Sequence, residues 1–366
     1  MARQSNHRIL FVPYGTEKAP ATRYRVSQYL RILNERGIKY RLFSAISPLA
    51  TNLMINSPDF HVMSRFFYYV YVLMERILRS FVIIFMAGGY DIIYLQRTTF
   101  PLGLERVLNC LKKKIIFDID DAIFMTDTDD NSLTTRIKKR IKESEVVNIL
   151  RCADCVIVEN EYIKNFVMNY CESIVKIPGP IDTERYFPKE RREKRAGVVI
   201  GWIGSPATTV YLNMLNNVFR VIQEKYGHVG YKFIGLGNYE NRDIRYEKIK
   251  WEYDTELKNL QDFDIGIMPM PDDNWTRGKL GCKMLQYMAV GIPCVVSYTP
   301  TNAEIIKDNE NGFFAASDKE WIDALSRLIE DDGLRARIGQ RGRGTVLDKC
   351  SLSANVSKLL DVFTRL

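Results

Sequence analysis

Residues 264–297 read DIGIMPMPDDNWTRGKLGCKMLQYMAVGIPCVVS. The apolar run 264–268 ends in an acidic, proline-bearing loop. Gly278-Lys279-Leu280-Gly281-Cys282-Lys283 then opens a helical period, and Gly291-Ile292-Pro293 turns into the next apolar run. Strand, helix and strand in that order form the crossover unit of a parallel sheet. A helix N-terminus offers unpaired backbone N–H groups and partial positive charge, which makes it an anion site. Gly278 and Gly281 allow close backbone approach. Lys279 and Lys283, four apart and so on one helical face, add point charges suited to phosphate. The same spacing also describes a plain surface helix with two solvated lysines. The stretch is not a P-loop, because GxxxxGK[ST] is absent.

Working outward, the alternation repeats. Apolar runs at 9–12, 40–43, 91–95, 115–118, 155–158 and 174–177 are separated by amphipathic segments at 23–35, 102–111 and 132–150. Uninterrupted apolar strands between helices predict a parallel sheet covered on both faces, with ligands at the carboxyl ends of the strands. Residues 178–196, PGPIDTERYFPKERREKRA, interrupt this with prolines and a dense basic run, as an exposed linker would. A second series follows, with strands at 198–203, 231–234, 264–268 and 293–297 and helices at 208–224, 281–290 and 319–330. The expected organisation is an α/β chain of two Rossmann-like domains facing each other across a cleft. The first spans 1–180, a linker 181–196, and the second 197–351, with a last helix at 352–366 packing back on the first domain.

Composition is consistent with that division. The chain has 366 residues, 46% apolar and 26% charged, too long for one hydrophobic core. Seven scattered cysteines favour a reducing compartment. The N-terminus runs straight into a strand pattern, so a cytoplasmic protein is expected. No apolar run approaches the roughly 18 residues of a membrane span. A net charge of +8 suits an anionic partner. Nucleic acid is disfavoured, since the basic residues are not interleaved with aromatics on a recognisable module.

The block 264–297 resembles the C-terminal domain of GT-B glycosyltransferases of the large retaining family 4, in a subgroup carrying W-x-x-G-K-x-G-x-K-x-L-Q-Y-M-A-x-G-x-P. Further stretches are similar to the same family in order along the chain: 21–33 (ATRYRVSQYLRIL), 116–124 (IFDIDDAIF), 153–160 (ADCVIVEN), 177–186 (IPGPIDTERY), 200–206 (IGWIGSP) and 302–312 (NAEIIKDNENG). The resemblance implies transfer of a sugar from a nucleotide diphosphate sugar to a hydroxyl of a glycan or lipid-linked acceptor, with retention. The nucleotide sugar would be a co-substrate, and no metal cofactor is expected. The family's two glutamates, with seven residues between them, match Gly278 and Gln286 here, so both carboxylates are missing. Gln286 would hold the ribose as an amide. The family's diphosphate-binding cations are also absent from 201–206. The resemblance therefore implies that Lys279 and Lys283, with Arg277 and Arg23 as further candidates, stabilise the leaving phosphates. Gly201, Gly204 and Ser205 would admit the diphosphate, and Asn302 and Glu304 would line the sugar or nucleoside pocket.

Other motifs leave alternatives open. The Asp118-Ile119-Asp120-Asp121 run could hold a divalent metal, because hard cations take carboxylate oxygens. It could equally cap the next segment, or, with Asp120 and Asp121, face the acceptor. Arg23 and Arg25 follow the first strand, where an arginine either completes charge neutralisation or sits on a solvated helix face. Cys152 and Cys155 form a lone CxxC and read as packing thiols. Residues 60–87 form a long amphipathic helix. His61, Arg65, Arg76 and Arg79 fall on one arc, while Phe66, Phe67, Val70, Leu73, Met74, Ile77, Leu78, Phe81, Ile84 and Phe85 fill the opposite one. The expected partner of that helix is an anionic membrane surface, reinforced by basic segments at 136–142 and 185–195, with a core helix as the alternative. Two further readings compete with the enzyme: a non-catalytic glycan- or lipid-binding protein on a decayed fold, and a nucleotide-sugar epimerase of the same shape.

Overall fold

A computed structural model describes residues 7–56, 62–125, 133–190 and 197–366. The chain divides into two compact units. Unit 1 comprises Met1–Pro180, Gly278–Leu280 and Asn355–Leu366; unit 2 comprises Ile181–Arg277 and Gly281–Ala354.

Unit 1 is built on a six-stranded sheet of order β2-β1-β3-β4-β5-β6. Its strands are β1 (Ile9–Pro13), β2 (Tyr40–Leu42), β3 (Ile92–Gln96), β4 (Lys114–Ile119), β5 (Cys155–Val158) and β6 (Ile174–Lys176). Every neighbouring pair is parallel. The runs ILFVP of β1 and IIYLQ of β3 are buried throughout, as strands covered on both faces must be. The order reverses beside β1, so the carboxyl ends of β1, β3 and β4 gather at a topological switch point. A short turn Pro20–Thr22 and a π-helical stretch Arg23–Ser27 lead into α1 (Gln28–Glu35). The chain continues through α2 (Pro48–Asn56), α3 (Val62–Ala87), α4 (Glu105–Cys110), α5 (Leu133–Cys152) and α6 (Glu161–Val167).

The orientation of α3 overturns part of the sequence expectation. Arg76 Nη2 donates to Glu145 Oε2 at 2.7 Å and Thr99 Oγ1 at 2.9 Å. Arg79 donates to the Ser44 carbonyl at 2.9 Å and lies 4.3 Å over the Phe43 ring. Both arginines therefore turn into the domain. Tyr68, Val72, Ile83 and Ala87 are the buried apolar positions, while Phe66, Phe67, Val70, Leu73, Met74, Leu78, Phe81 and Phe85 are exposed. Phe60, His61 and the Arg65 side chain lie outside the described residues. No described helix is long and apolar enough to cross a membrane.

Unit 2 carries a second six-stranded parallel sheet of order β12-β11-β10-β7-β8-β9. The strands are β7 (Val199–Ile203), β8 (Gly230–Ile234), β9 (Tyr246–Ile249), β10 (Ile265–Met268), β11 (Cys294–Ser297) and β12 (Phe313–Ala315). A 3₁₀ segment Pro206–Leu215 precedes α7 (Asn216–Lys225), and α8 (Glu256–Leu260), α9 (Cys282–Ala289), α10 (Asp318–Glu330) and α11 (Asp332–Thr345) follow; α12 (Leu352–Arg365) belongs to unit 1 from Asn355 onward. The β7–β10 ladder registers only Ile265 with Ile200 and Gly266 with Gly201. Beyond it, the Tyr287 hydroxyl accepts from Ile203 N at 3.0 Å and donates to the Ile267 carbonyl at 3.1 Å. One phenol thus bridges the two strands where their own pairing stops. Of the segment read as an exposed linker, 191–196 lies outside the described residues. Its first half is embedded: Ile181 N donates to the Cys350 carbonyl at 2.8 Å, and Tyr186 is buried.

Candidate functional site

In unit 2 the polar groups gather where β7, β10 and β11 end. The loop after β7 begins Gly204-Ser205, and Ser205 N donates to Thr208 Oγ1 at 3.2 Å. That hydroxyl also accepts from Lys283 Nζ at 3.0 Å, and the ammonium lies 4.6 Å from the Trp202 ring centroid. Lys283 stands on the first turn of α9, so the cation missing from 201–206 arrives there from another element. Cation over ring and hydroxyl beneath fix a flexible four-carbon stem in one place.

The other residues singled out in this unit behave differently from expectation. Gly201 is a packing glycine: a Cβ on it would lie 2.0 Å from the Phe263 ring, so its missing side chain makes room for Phe263 rather than a diphosphate. Gly204 lies under Trp202, with a Cβ placed 2.2 Å from that ring, and Gly281 lies against Met268 at 2.3 Å. Asn302 is fully buried; it accepts from Gly281 N at 3.3 Å and donates to the Ser297 carbonyl at 3.2 Å, so it ties β11 to the start of α9. Glu304 is half-buried in the next turn. Arg277 is paired bidentately with Asp272 at 2.7 and 3.0 Å, which neutralises its charge locally. Gln286 is buried, and its amide donates to Glu256 Oε1 and, at 3.3 Å, to the Tyr186 hydroxyl. Tyr186 in turn donates to Glu256 Oε1 at 3.1 Å. A buried carboxylate therefore stands beside the position where the sequence carries an amide.

In unit 1 the carboxyl ends of β3, β4 and β5 form a charged cluster. Arg25, only 2% exposed, grips Asp118 through Nε at 3.0 Å and Nη2 at 2.6 Å, and donates from Nη1 to the Ile177 carbonyl at 2.8 Å. Tyr94 donates to Asp118 at 2.5 Å. Burial works against the charge of Arg25, but Asp118 outweighs it and raises the guanidinium well above its ordinary value. Arg97, held at φ 53°, donates to Asp120 through Nε and through Nη2 at 2.8 Å, and pairs with Asp121 at 2.8 Å. Burial alone would raise the Asp120 carboxyl; Arg97 reverses this and holds it below the usual range. Neither Asp120 nor Asp121 caps a described helix, and both are held by Arg97. Arg23 donates to the Glu17 and Lys18 carbonyls at 3.3 and 3.0 Å, closing its own loop, so the buried arginine of this cluster is Arg25. Gly278 is buried, with a Cβ placed 2.5 Å from Ala122, and its carbonyl accepts from Asn160 Nδ2 at 3.0 Å. Lys279 beside it is half-buried. Cys152 and Cys155 are free thiols, raised by burial.

Sequence reasoning missed Gln96, Arg97, Glu159 and Glu256. For the first three the signal available was a charged or amide side chain ending an otherwise apolar run, as in IIYLQR and VIVEN; Glu256 opens a helix and carries no such signal.

Residues 254–345 match the family model described as Glycosyl transferases group 1. A curated relative, the poly(ribitol-phosphate) alpha-N-acetylglucosaminyltransferase of Staphylococcus aureus (strain COL), is 24% identical over 238 residues, covering 61% of this chain. The chain spans 43% of that relative's length. Among solved structures, TarM superposes with a TM-score of 0.58 at 18% identity, over 74% of this chain and 54% of that one. Alr3699/HepE of Anabaena, in complex with UDP, superposes with a TM-score of 0.65 at 13% identity, over 98% of this chain and 100% of that one. At such identities these likenesses establish the fold. The chain thus has the α/β architecture of GT-B proteins, two Rossmann-like units, and over 254–345 it carries a domain of the Glycosyl transferases group 1 family.

Proposed function

We propose that the protein is a glycosyltransferase that moves a sugar from a nucleotide diphosphate sugar to a hydroxyl of a glycan or lipid-linked acceptor, with retention at the anomeric carbon. The observation that carries this reading is Lys283, fixed by Thr208 and Trp202 at the carboxyl ends of β7 and β10. The UDP bound by Alr3699/HepE and the acetylglucosaminyl transfer named for the S. aureus relative support it. In the reaction the bond from the anomeric carbon to a phosphate oxygen breaks, a bond to the acceptor oxygen forms, and the acceptor's proton passes to the leaving diphosphate. Charge develops on the diphosphate, so a fixed cation there stabilises the transition state more than the ground state. Lys283 takes this part. Gln286, hydrogen-bonded to Glu256, is the amide that would meet the ribose hydroxyls.

Lysines supply the charge in place of a metal, so turnover is expected to persist in excess EDTA. Loss in chelator with rescue by Mn²⁺ would instead put a metal at Asp118–Asp121. A panel of UDP-, GDP- and ADP-sugars in a thermal-shift assay tests the donor, since ligand at 100 Kd adds about 2.7 kcal/mol of stability. One nucleotide should raise the melting temperature of wild type and raise it less in Lys283→Ala. No response to any nucleotide would remove the reading.

The exposed apolar face of α3 supports a second element of the proposal: contact with the anionic inner surface of a membrane, on the cytoplasmic side. The cations for it come from α5, whose exposed Arg136, Lys139 and Arg140 accompany the exposed Ile137 and Ile141. Arg76, bound to Glu145 of α5 at 2.7 Å, joins the two helices instead of meeting lipid.

A further inference from the structure

Outside its charged cluster, unit 1 contains a cavity of about 610 Å³ walled by the loop after β4, by α5 and by α6. α5 contributes Lys139 and Glu143, four apart and so on one helical face. α6 contributes Tyr162, Asn165 and Phe166, whose spacing of three and four likewise makes one stripe. Phe124, from the loop, stacks on Phe166 with ring centroids 3.7 Å apart and planes 6° from parallel, which ties the loop to the helix. Tyr162 is seated by the start of α6. Asn160 caps that helix by accepting from Ile163 N at 2.9 Å, and its Nδ2 donates to the Gly278 carbonyl at 3.0 Å. Gly278 leaves room for the ring, since a Cβ on it would lie 3.3 Å from Tyr162 Cδ1. The side chains of Lys139, Glu143, Tyr162 and Asn165 make no hydrogen bond or ion pair among the described residues, so their polar atoms remain available to a ligand.

The lining defines the ligand. Lys139 can only donate and the Glu143 carboxylate only accept, while the Tyr162 hydroxyl and the Asn165 amide do both. One cation and one carboxylate cancel, so neither a phosphate nor a cationic ligand is favoured. Three aromatic side chains supply apolar wall. A purely apolar chain would take the polar groups out of water without replacing their hydrogen bonds. A sugar ring matches both halves of the lining: its hydroxyls donate and accept, and its C–H face lies against an aromatic ring. Aromatic walls with a few convergent polar groups, in a volume of this order, are the composition of a small-molecule site. We propose that the cavity binds a neutral sugar residue, with Tyr162 against its C–H face and Glu143 and Asn165 hydrogen-bonded to its hydroxyls. Lys139 also belongs to the basic face of α5, so Tyr162, Glu143 and Asn165 carry the test. That the sugar belongs to the acceptor rests on the transfer reading; its binding does not, and is measured without a donor.

Met125 lines the same cavity, and its methyl group reports occupancy. The full chain, with methionine labelled at the methyl carbon, is titrated by NMR with the methyl glycosides of glucose, galactose, mannose and N-acetylglucosamine; Met125→Leu identifies the resonance. In wild type at least one glycoside should shift Met125 saturably. Tyr162→Ala should weaken that binding about tenfold or more, as the ring and the hydroxyl go together. Tyr162→Phe keeps the ring and should weaken it about two- to tenfold, the scale of one lost hydrogen bond. Asn165→Ala, at an exposed position, should do the same with the melting temperature unchanged. Glu143→Gln should bind more tightly than Glu143→Ala. No shift of Met125 with any glycoside, wild-type affinity in either Tyr162→Ala or Asn165→Ala, or a shift produced by octanol and by no glycoside would each overturn the subsite. Adding UDP-, GDP- and ADP-sugars to the same samples separates the two readings. Glycoside binding with no nucleotide binding keeps the subsite and removes the transfer reading, whereas nucleotide binding with Met125 unmoved by glycosides does the reverse.

Discussion

Replacing Phe66 and Phe67 together with serine separates a membrane face from a core face. The rings are 62% and 64% exposed, so of a phenylalanine's roughly 150 Å² or more, about 100 Å² of each stays outside the fold. At about 25 cal/mol/Å², burying that area in lipid is worth roughly 2.5 kcal/mol per ring. The pair therefore contributes about 5 kcal/mol, or between three and four decades in partitioning. The cost to folding is far smaller. Only about a third of each ring is covered, which limits the loss to about 1 kcal/mol per site, about 2 kcal/mol for the pair, and a shift of roughly 4–8 °C for a domain of this size. Sedimentation with vesicles containing phosphatidylglycerol, beside thermal melting, reads both quantities. Wild type should sediment, less so at high salt because the α5 cations are screened. The double variant should stay in solution and melt no more than about 8 °C below wild type. A core pair would instead lose about 3–5 kcal/mol at each site. A large drop in melting temperature, with no sedimentation of wild type, would refute the membrane contact.

Three further outcomes are expected. Lys283→Ala should lower kcat by about 10²–10³, the range for removing one transition-state electrostatic donor, and Lys279→Ala should act in the same direction; wild-type turnover in a folded Lys283 variant would end that assignment. Gly201→Ala should lower the melting temperature, because its Cβ would sit 2.0 Å from the Phe263 ring and overpacking costs about 1–3 kcal/mol. Unchanged stability with weakened nucleotide binding would return Gly201 to the diphosphate. Glu159, raised on folding, contributes stability that is complete below the ordinary glutamate value and lost as pH rises through the folded one. Glu159→Gln should therefore flatten the stability–pH profile and be more stable than wild type at the alkaline end, which urea titrations across pH would read.

The sequence made β1, β3, β4 and β5 legible because those strands are largely buried apolar runs. Two edge strands escaped it. Tyr246–Ile249 is a half-exposed YEKI, and Phe313–Ala315 has three residues, so neither carries the apolar run that marks a buried strand. Helix α3 shows a different limit. Periodicity found its two faces correctly but could not say which one the domain covers, since Arg76 and Arg79 find Glu145, Thr99, Ser44 and Phe43 far away in sequence. The site was legible in residue type and not in partnership. Lys283 was named, whereas its seat on Thr208 and Trp202 joins positions up to 81 apart (283 − 202). Gln286 was named, and Glu256, 30 residues away, was not. Asp120 was found, but Arg97, which decides its ionisation, was hidden in a strand end.

Transfer from a nucleotide sugar is read with donors labelled in the sugar. Purified protein is incubated with UDP-, GDP- and ADP-sugars labelled in the sugar, and label released as free sugar or transferred to a sugar or polyol acceptor is counted. Release or transfer from one donor by wild type, reduced by a factor of about 10²–10³ in Lys283→Ala, is the expected result. A nucleotide sugar that binds and raises the melting temperature, yet is neither hydrolysed nor transferred by wild type, would contradict it and leave a binding protein on a glycosyltransferase fold.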